Sequence, residues 1–262
     1  MENILGIAYY EYRLHWRGIS LRVLALTTLL VTCVGLLIWN SLPEGQFARV
    51  FNVEGGISTS VVQTFLTFPA LICVVVFIFP VAASECIPVD KHHRTIELID
   101  SLPVTPVEYL AGKLLGYWLA GLMIILVAAL INGGLWWLTL PGYDIIRYGE
   151  LWFVAALVFL INSGIGILLG GTQPNRIRAA ALVICVLIAA TVILGSADDA
   201  RQPTSVLSFA NPAHLSLIVA YIDPGMSDGL HLTSANVSLS LLGGLIEVAM
   251  LFAGLLLLRR RQ

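Results

Sequence analysis

The sequence predicts an all-α membrane protein: six transmembrane helices, an amphipathic interfacial helix at the N terminus, a short cytoplasmic helix after span two, and a re-entrant external segment after span five. Of its 262 residues, 58% are hydrophobic and 11% are charged, whereas about 25% of residues are charged in a typical soluble domain. Apolar runs of about 20 residues recur along the chain, and each can cross a hydrocarbon core about 30 Å thick as a helix. Because lipid offers the backbone no hydrogen-bond partners, helices are expected for runs of this length. We therefore predict a single transmembrane domain over residues 1–262.

The distribution of basic residues indicates how the spans face. Six spans place both termini on one side, and cytoplasmic connections carry an excess of Lys and Arg. With the termini inside, the inner connections hold eleven Lys and Arg residues and the outer connections hold three. We expect a multi-pass protein of the plasma or inner cell membrane with both termini in the cytoplasm. The predicted spans are residues 23–40, 58–84, 110–139, 151–172, 178–196 and 237–258.

Residues 1–22 have the pattern of a helix that lies on the membrane surface. Arg13 and Arg17 lie opposite an apolar, aromatic face at 100° per residue. Aromatic rings at the headgroup level and basic residues toward anionic lipid suit the inner leaflet. An ordinary cytoplasmic extension of span one is the alternative. The face consists of Ile4, Leu5, Ala8, Tyr9, Tyr12, Trp16 and Ile19.

The cytoplasmic loop over residues 85–105 ends in a helix-start signal. Thr105-Pro106-Val107-Glu108 is a capping box with proline at the first helical position, which predicts a helix that begins at Pro106 and continues into span three.

Upstream in the same loop, residues 94–101 are long enough for about two helical turns, which Leu102-Pro103 ends. Ile96, Ile99 and Leu102 share one side of this short helix, and charged residues flank it. An apolar stripe with a charged rim is typical of a surface that docks another protein. A solvated turn whose charges keep the loop inside is the other interpretation, and the residues by themselves leave both open.

A resemblance to a known family is carried by residues of this loop and of the start of span three. They are Glu85, Arg94-Thr95-Ile96-Glu97-Leu98, Ser101-Leu102-Pro103-Val104, Tyr109-Leu110 and Gly112-Lys113-Leu114-Leu115. The pattern resembles the loop of ABC-2 type transporter permeases. The six spans, the amphipathic N-terminal helix and the chain length agree with that family, so the resemblance covers the whole chain.

The resemblance implies a membrane subunit of an ATP-driven exporter that works with force from a separate ATPase subunit. The expected partners are that ABC ATPase subunit, a second permease copy or paralogue, and membrane lipid, with no nucleic acid. ATP and Mg are expected in the ATPase subunit and no cofactor in this chain, which has no GxxxxGK[ST] phosphate-binding loop. The residues implied to couple to the ATPase are Glu85, Arg94, Thr95, Ile96, Glu97, Ile99, Asp100, Leu102 and Pro103.

The resemblance also implies a substrate path between two copies, lined by parts of spans one, two and five. A mildly polar, aromatic wall would suit a hydrophobic or amphipathic substrate. The candidates are Thr64, Phe65, Phe68 and Thr191, together with Glu247, the ionisable residue deep in span six. Helix packing is the alternative role for Glu247. The external loop over residues 197–236 contains a stretch too short to span, so it is either re-entrant or rests on the headgroups.

Two other classes of function compete with the transporter interpretation. An ion-coupled carrier or channel would use ionisable residues within the spans, where Glu247 stands by itself. An intramembrane enzyme would use Ser163 as a nucleophile, but no histidine lies in a predicted span to serve as its base. His92 and His93, with Glu85 and Asp90, would be a metal cluster or simply solvated residues. Asn132 and Asn162-Ser163, which can hydrogen-bond between helices, and the small-residue pattern Gly166-xxx-Gly170 are expected to serve helix packing.

Overall fold

The computed structural model describes residues 2–17, 73–93, 104–139 and 145–189, together with separate positions between 22 and 34 and between 242 and 257. This part of the chain is built from helices and short turns and contains no strand, so the all-α prediction is confirmed for it. The elements are α1 (Glu2–Arg17), a π-helical segment (Cys73–Ile78), α2 (Phe79–Ser84), α3 (Cys86–His92), α4 (Pro106–Thr139), α5 (Ile145–Gly171) and α6 (Arg176–Ala189).

Among the described helices, one is long and apolar enough to cross a membrane: residues Pro106–Leu135 of α4. A shorter apolar helix runs over Ala155–Gly171 of α5. α4 is apolar all round, as expected for a helix packed against protein on one side and lipid on the other. Most of predicted span one, more than half of span two and half of span six lie outside the described residues, and the six-span arrangement stays a prediction.

α4 begins where the capping box predicts. The backbone N–H of Glu108 donates to the Thr105 hydroxyl at 3.2 Å, and the Thr105 N–H donates to Glu108 Oε2 at 2.9 Å. Each side chain therefore satisfies a backbone donor that the first turn leaves without a partner. Pro106 occupies the first helical position, where its missing N–H costs nothing. The predicted start is confirmed.

Two prolines shape the end of the second predicted span. Pro80 has no N–H to donate to the carbonyl four residues earlier, and the segment before it is a wide π-helix rather than an α-helix. Pro88 likewise leaves the carbonyl of Ser84 without its helical donor, and the chain turns at Glu85 between α2 and α3. Helical structure then continues to His92, inside the predicted 85–105 loop.

Glycines bring α5 against α2. A side-chain carbon on Gly166 would overlap the carbonyl oxygen of Pro80, and one on Gly170 would overlap that of Ser84. The obstructing atoms are backbone and cannot rotate away, so only glycine fits at this distance. The close packing predicted for Gly166-xxx-Gly170 is confirmed. Phe79 of α2 adds an edge-to-face contact with Phe159 of α5, with ring centroids 4.7 Å apart.

α1 packs against the first half of α4, and this contact divides the apolar face that the sequence predicted for α1. Ala8 is buried, whereas Leu5, Tyr9 and Trp16 are exposed. The side of α1 that meets α4 includes Ala8 and Glu11, which lie against Gly116 of α4, where no side chain is in the way. A Cβ on Gly116 would lie 2.7 Å from the Ala8 carbonyl oxygen. The exposed aromatic residues stay available to lipid headgroups, as the interfacial interpretation requires.

Candidate functional site

Lys113 of α4 is almost fully buried, with 2% of its side chain exposed, and three oxygens surround its ammonium group. Glu11 Oε1 lies 2.7 Å from Nζ, Asp90 Oδ2 lies 2.6 Å away, and the Cys86 carbonyl oxygen accepts at 3.2 Å. An ammonium has three donors, so this buried charge is fully hydrogen-bonded. Glu11 belongs to α1, whereas Asp90 and Cys86 belong to α3. One cation therefore holds two other segments of the chain.

Glu11 reaches Lys113 because α1 and α4 are in close contact on both sides of it. Gly112 and Gly116 flank Lys113 on α4 at helical spacing, and a Cβ on Gly112 would meet Ile7 of α1 at 2.6 Å. The missing side chains let the backbones approach, which leaves the carboxylate of Glu11 directly opposite the ammonium. The second oxygen of this carboxylate, Oε2, lies 3.4 Å from Nε2 of His15, one turn further along α1.

His15 carries positive charge in this setting. Burial opposes its charged form, but attraction to the Cys86 sulfur, 3.5 Å from Nε2, and to the Glu11 carboxylate outweighs burial and raises the pKa of His15 to about 10. Burial also opposes the charged form of Glu11. There the contact with His15 and the charge of Lys113 outweigh burial and hold the pKa of Glu11 below its ordinary value.

Asp90, near the end of α3, is bonded to residues at the start of α4, across the connection between the two helices. Its Oδ2 accepts a hydrogen bond from the Tyr109 hydroxyl at 2.5 Å, in addition to the ion pair with Lys113. Asp90 precedes residues 94–103 in the chain, and Tyr109 and Lys113 follow them. The base of the predicted loop is therefore closed by charge-assisted hydrogen bonds, which are stronger than neutral ones.

Two further polar contacts hold neighbouring helices together. Lys91 of α3 donates to the carbonyl oxygens of Gly171 at 2.6 Å and Gln173 at 3.1 Å, where a cation meets the free carbonyls at the end of α5. Tyr117 of α4 donates its hydroxyl to the Phe79 carbonyl oxygen of α2 at 2.8 Å.

We name the group around the ammonium the Lys113 cluster; it comprises Glu11, His15, Cys86, Asp90, Tyr109 and Lys113. Its two carboxylates lie opposite the ammonium of Lys113 and the imidazole of His15, so groups of opposite sign face each other inside the buried cluster. Buried charges are tolerated when they are paired and hydrogen-bonded. The arrangement suits the joining of three segments rather than attack on a substrate.

Of the predicted coupling residues, Glu85 lies in the described part of the chain. It is half-buried in the turn between α2 and α3, next to Cys86 of the Lys113 cluster. The other predicted coupling residues, Arg94, Thr95, Ile96, Glu97, Ile99, Asp100, Leu102 and Pro103, lie outside the described residues. The same holds for the predicted substrate path of Thr64, Phe65, Phe68, Thr191 and Glu247.

The residues named for other chemistry have packing partners. Ser163 donates to the Phe159 carbonyl oxygen of its own helix at 2.6 Å. Asn132 donates to the Ala128 carbonyl oxygen of its own helix at 2.8 Å, and its predicted hydrogen bond to another helix stays a prediction. The rings of His92 and His93 contact each other, and within the described residues no group of three metal-ligating side chains occurs.

The partners of Lys113 were not predicted from the sequence. A signal was present: Ala8, Glu11 and His15 share one side of α1 at spacings of three and four residues, so a carboxylate lies on a side that also carries small apolar residues. A second signal was the pattern Gly112-Lys113-xx-Gly116, which predicts a close helix contact around a charge. Nothing in either pattern says that the two should pair.

Comparison with known families gives the class of the protein. The sequence model of the ABC-2 family transporter proteins matches residues 51–255, which is most of the chain. The chain belongs to the ABC-2 transporter family. No curated protein matches the sequence closely enough to count as a relative. As a member of this family the permease is a transport subunit of the membrane and is not itself catalytic.

The matched residues include Asp90 and Lys113 but begin after α1. The Lys113 cluster therefore joins the matched part of the chain to a helix that precedes it. Glu11 and His15 are the contribution of that helix.

Proposed function

We propose that the chain is the membrane-spanning subunit of an ATP-driven exporter that moves a hydrophobic or amphipathic substrate. A separate ABC ATPase subunit, which binds ATP and Mg, supplies the force. Two copies of the permease, or one copy and a paralogue, form the substrate path between them. Membership of the ABC-2 family supports the transport role. The stretch 94–103 is the proposed contact with the ATPase.

One observation carries the mechanical part of the proposal. Asp90, which precedes this stretch, is bonded to Tyr109 and Lys113, which follow it. A loop whose ends are fixed to each other moves as a unit, so a push on it is delivered to α3 and α4 instead of being absorbed by independent motion of its ends. Because α4 is a helix of 34 residues, the displacement would reach the far end of the bundle.

Purification of the tagged chain from its native membranes tests the proposal. We expect a subunit with Walker motifs to co-purify and to be lost in the charge-reversal variant Arg94→Glu/Glu97→Lys. Arg178→Glu is the matched control: it reverses a charge on the same predicted side, at the exposed start of α6. Retention of the ATPase in the loop variant, or loss of it in the control alone, would show that the contact lies elsewhere.

Transport itself is tested in vesicles that contain the purified complex. We expect Leu102→Asp to abolish ATP-driven substrate efflux while the spans remain folded, because a buried charge would exclude the apolar side of the loop helix from its cleft. Coupled efflux that survives in this variant would contradict the assignment of the loop. A chain that conducts ions without any ATPase would favour a carrier or channel.

A further inference from the structure

Glu11 and Asp90 are both bonded to one ammonium group, although they belong to different segments. Their distances to Lys113 Nζ are nearly equal, 2.7 Å and 2.6 Å. Both side chains lie in a buried setting, with 6% and 13% of their surfaces exposed, so solvent screens them weakly. The hydrogen bonds of Asp90 run to Tyr109 and Lys113 of α4. Lys113 is thus the shared partner of α1 and α3.

Two anions around one cation weaken each other's binding. Each carboxylate is attracted to the ammonium, but the carboxylates repel each other. Charges a few ångströms apart in a poorly screened site interact by several times the thermal energy, at an effective dielectric constant of about 20. Loss of one carboxylate therefore removes a repulsion and leaves the full charge of Lys113 to the other. The attachments of α1 and α3 to Lys113 are therefore coupled with opposite sign. Weakening the bond to one of them strengthens the bond to the other.

We propose that Lys113 is a positioning residue that passes displacement from the base of the 94–103 stretch to the N-terminal helix. Movement of α3 that lengthens the Asp90–Lys113 pair tightens the Glu11–Lys113 pair, and α1 is drawn more firmly onto α4 while α3 is released. The source of that movement rests on the proposed function, since the ATPase is what would push the loop. The opposed coupling itself depends only on the three side chains.

Amide hydrogen exchange on the full chain in lipid nanodiscs tests the coupling, because exchange of helix amides reports the local free energy of opening. In Asp90→Asn we expect the amides of α3 to exchange faster and those of α1 to exchange slower, each by at least about threefold. In Glu11→Gln the pattern reverses: α1 exchanges faster and α3 slower. A purely structural role would give faster exchange near each substitution and no slowing in the other segment.

Ser163→Ala is the matched control, since it removes a buried hydroxyl that is bonded within α5, away from the cluster. Its exchange in α1 and α3 should equal that of the wild type.

The results divide cleanly. Unchanged or faster exchange of α1 in Asp90→Asn overturns the proposal, and so does unchanged or faster exchange of α3 in Glu11→Gln. The opposite signs in the two single variants decide the matter. Because the measurement needs no ATPase, it separates failure of the coupling from failure of the transport proposal, which the co-purification experiment tests.

Discussion

The protein joins its helices in two chemically different ways. One is seen where α2 meets α5, and the other where α1 meets α4. In the first, Gly166 and Gly170 lie against backbone carbonyls, and no charge takes part. In the second, a buried ion pair between Glu11 and Lys113 lies between glycines. A glycine contact is set by shape and does not respond to conditions. A charged contact can be strengthened or weakened by protons and by neighbouring charges, so it is the one suited to carry movement.

The largest effect is expected at the charged contact. Lys113→Met leaves two buried carboxylates without their cation, and loss of one partner of a buried ion pair costs about 3–5 kcal/mol. We expect this variant to lose that much in its free energy of unfolding, measured by denaturant titration in detergent. The triple variant Glu11→Gln/Asp90→Asn/Lys113→Met should recover most of the loss, because both carboxylates lose their charge together with the ammonium. A single variant as stable as the wild type would contradict the burial of the cluster.

The second-largest effect is expected at the glycine contact between α2 and α5, where a single added methyl group has no room. Gly170→Ala places a methyl group on the Ser84 carbonyl oxygen, and forced overpacking costs about 1–3 kcal/mol. Gly134→Ala in α4 is the matched control, since nothing lies within 4 Å of its added carbon. There we expect no loss, and a gain of up to about 1 kcal/mol from helix propensity. Equal thermal stability of the two variants would mean that α2 and α5 are not in contact.

The dependence on pH should separate the two contacts as well. The pKa of His15 is raised from 6.5 to about 10, so its stabilisation is complete below pH 6.5 and is lost as pH rises through 10. The pKa of Glu11 is lowered, so its stabilisation is present above pH 4.5 and is lost as pH falls through the lowered value. We expect amide exchange of α1 to be slowest between these limits and at least about threefold faster at pH 10.5, once intrinsic rates are divided out.

His15→Gln tests whether His15 causes the faster exchange of α1 at high pH, because it removes the imidazolium and keeps a polar side chain. Its α1 exchange should no longer change between pH 8 and pH 10.5, whereas amides of α2 and α5 should show no such change in either protein. If α1 still exchanges faster at pH 10.5 in His15→Gln, a group other than His15 causes the change.

The smallest effect is expected at the start of α4. Thr105→Ala removes the hydroxyl that accepts from the Glu108 N–H, and loss of an N-cap costs about 1 kcal/mol. Thr105→Ser keeps the hydroxyl and should be close to the wild type in thermal unfolding. A loss in the serine variant as large as in the alanine variant would attribute the effect to the methyl group and not to the cap.

Whether a feature of the fold or of the Lys113 cluster could be predicted depended on how far apart in the sequence its interacting residues lie. The start of α4 at Pro106 and the glycine packing of α5 were predictable because each is encoded within a few neighbouring residues. The charge cluster was not, because Glu11, Asp90 and Lys113 come from separate parts of the chain, and a charge does not specify its partner. The side of α1 that meets α4 was not predictable for the same reason: periodicity groups side chains but does not say which of them meet a neighbouring helix.

The sequence by itself determined that the chain is helical and rich in apolar runs, where α4 begins, and to which family it is similar, since composition, caps and motifs are local properties. The tertiary structure alone decided which charge pairs with which, that Asp90 is bonded to Tyr109 and Lys113 across the chain connection between them, and which side of α1 is buried. Those outcomes depend on distances between helices, and such distances follow from how backbones pack in three dimensions rather than from any one segment.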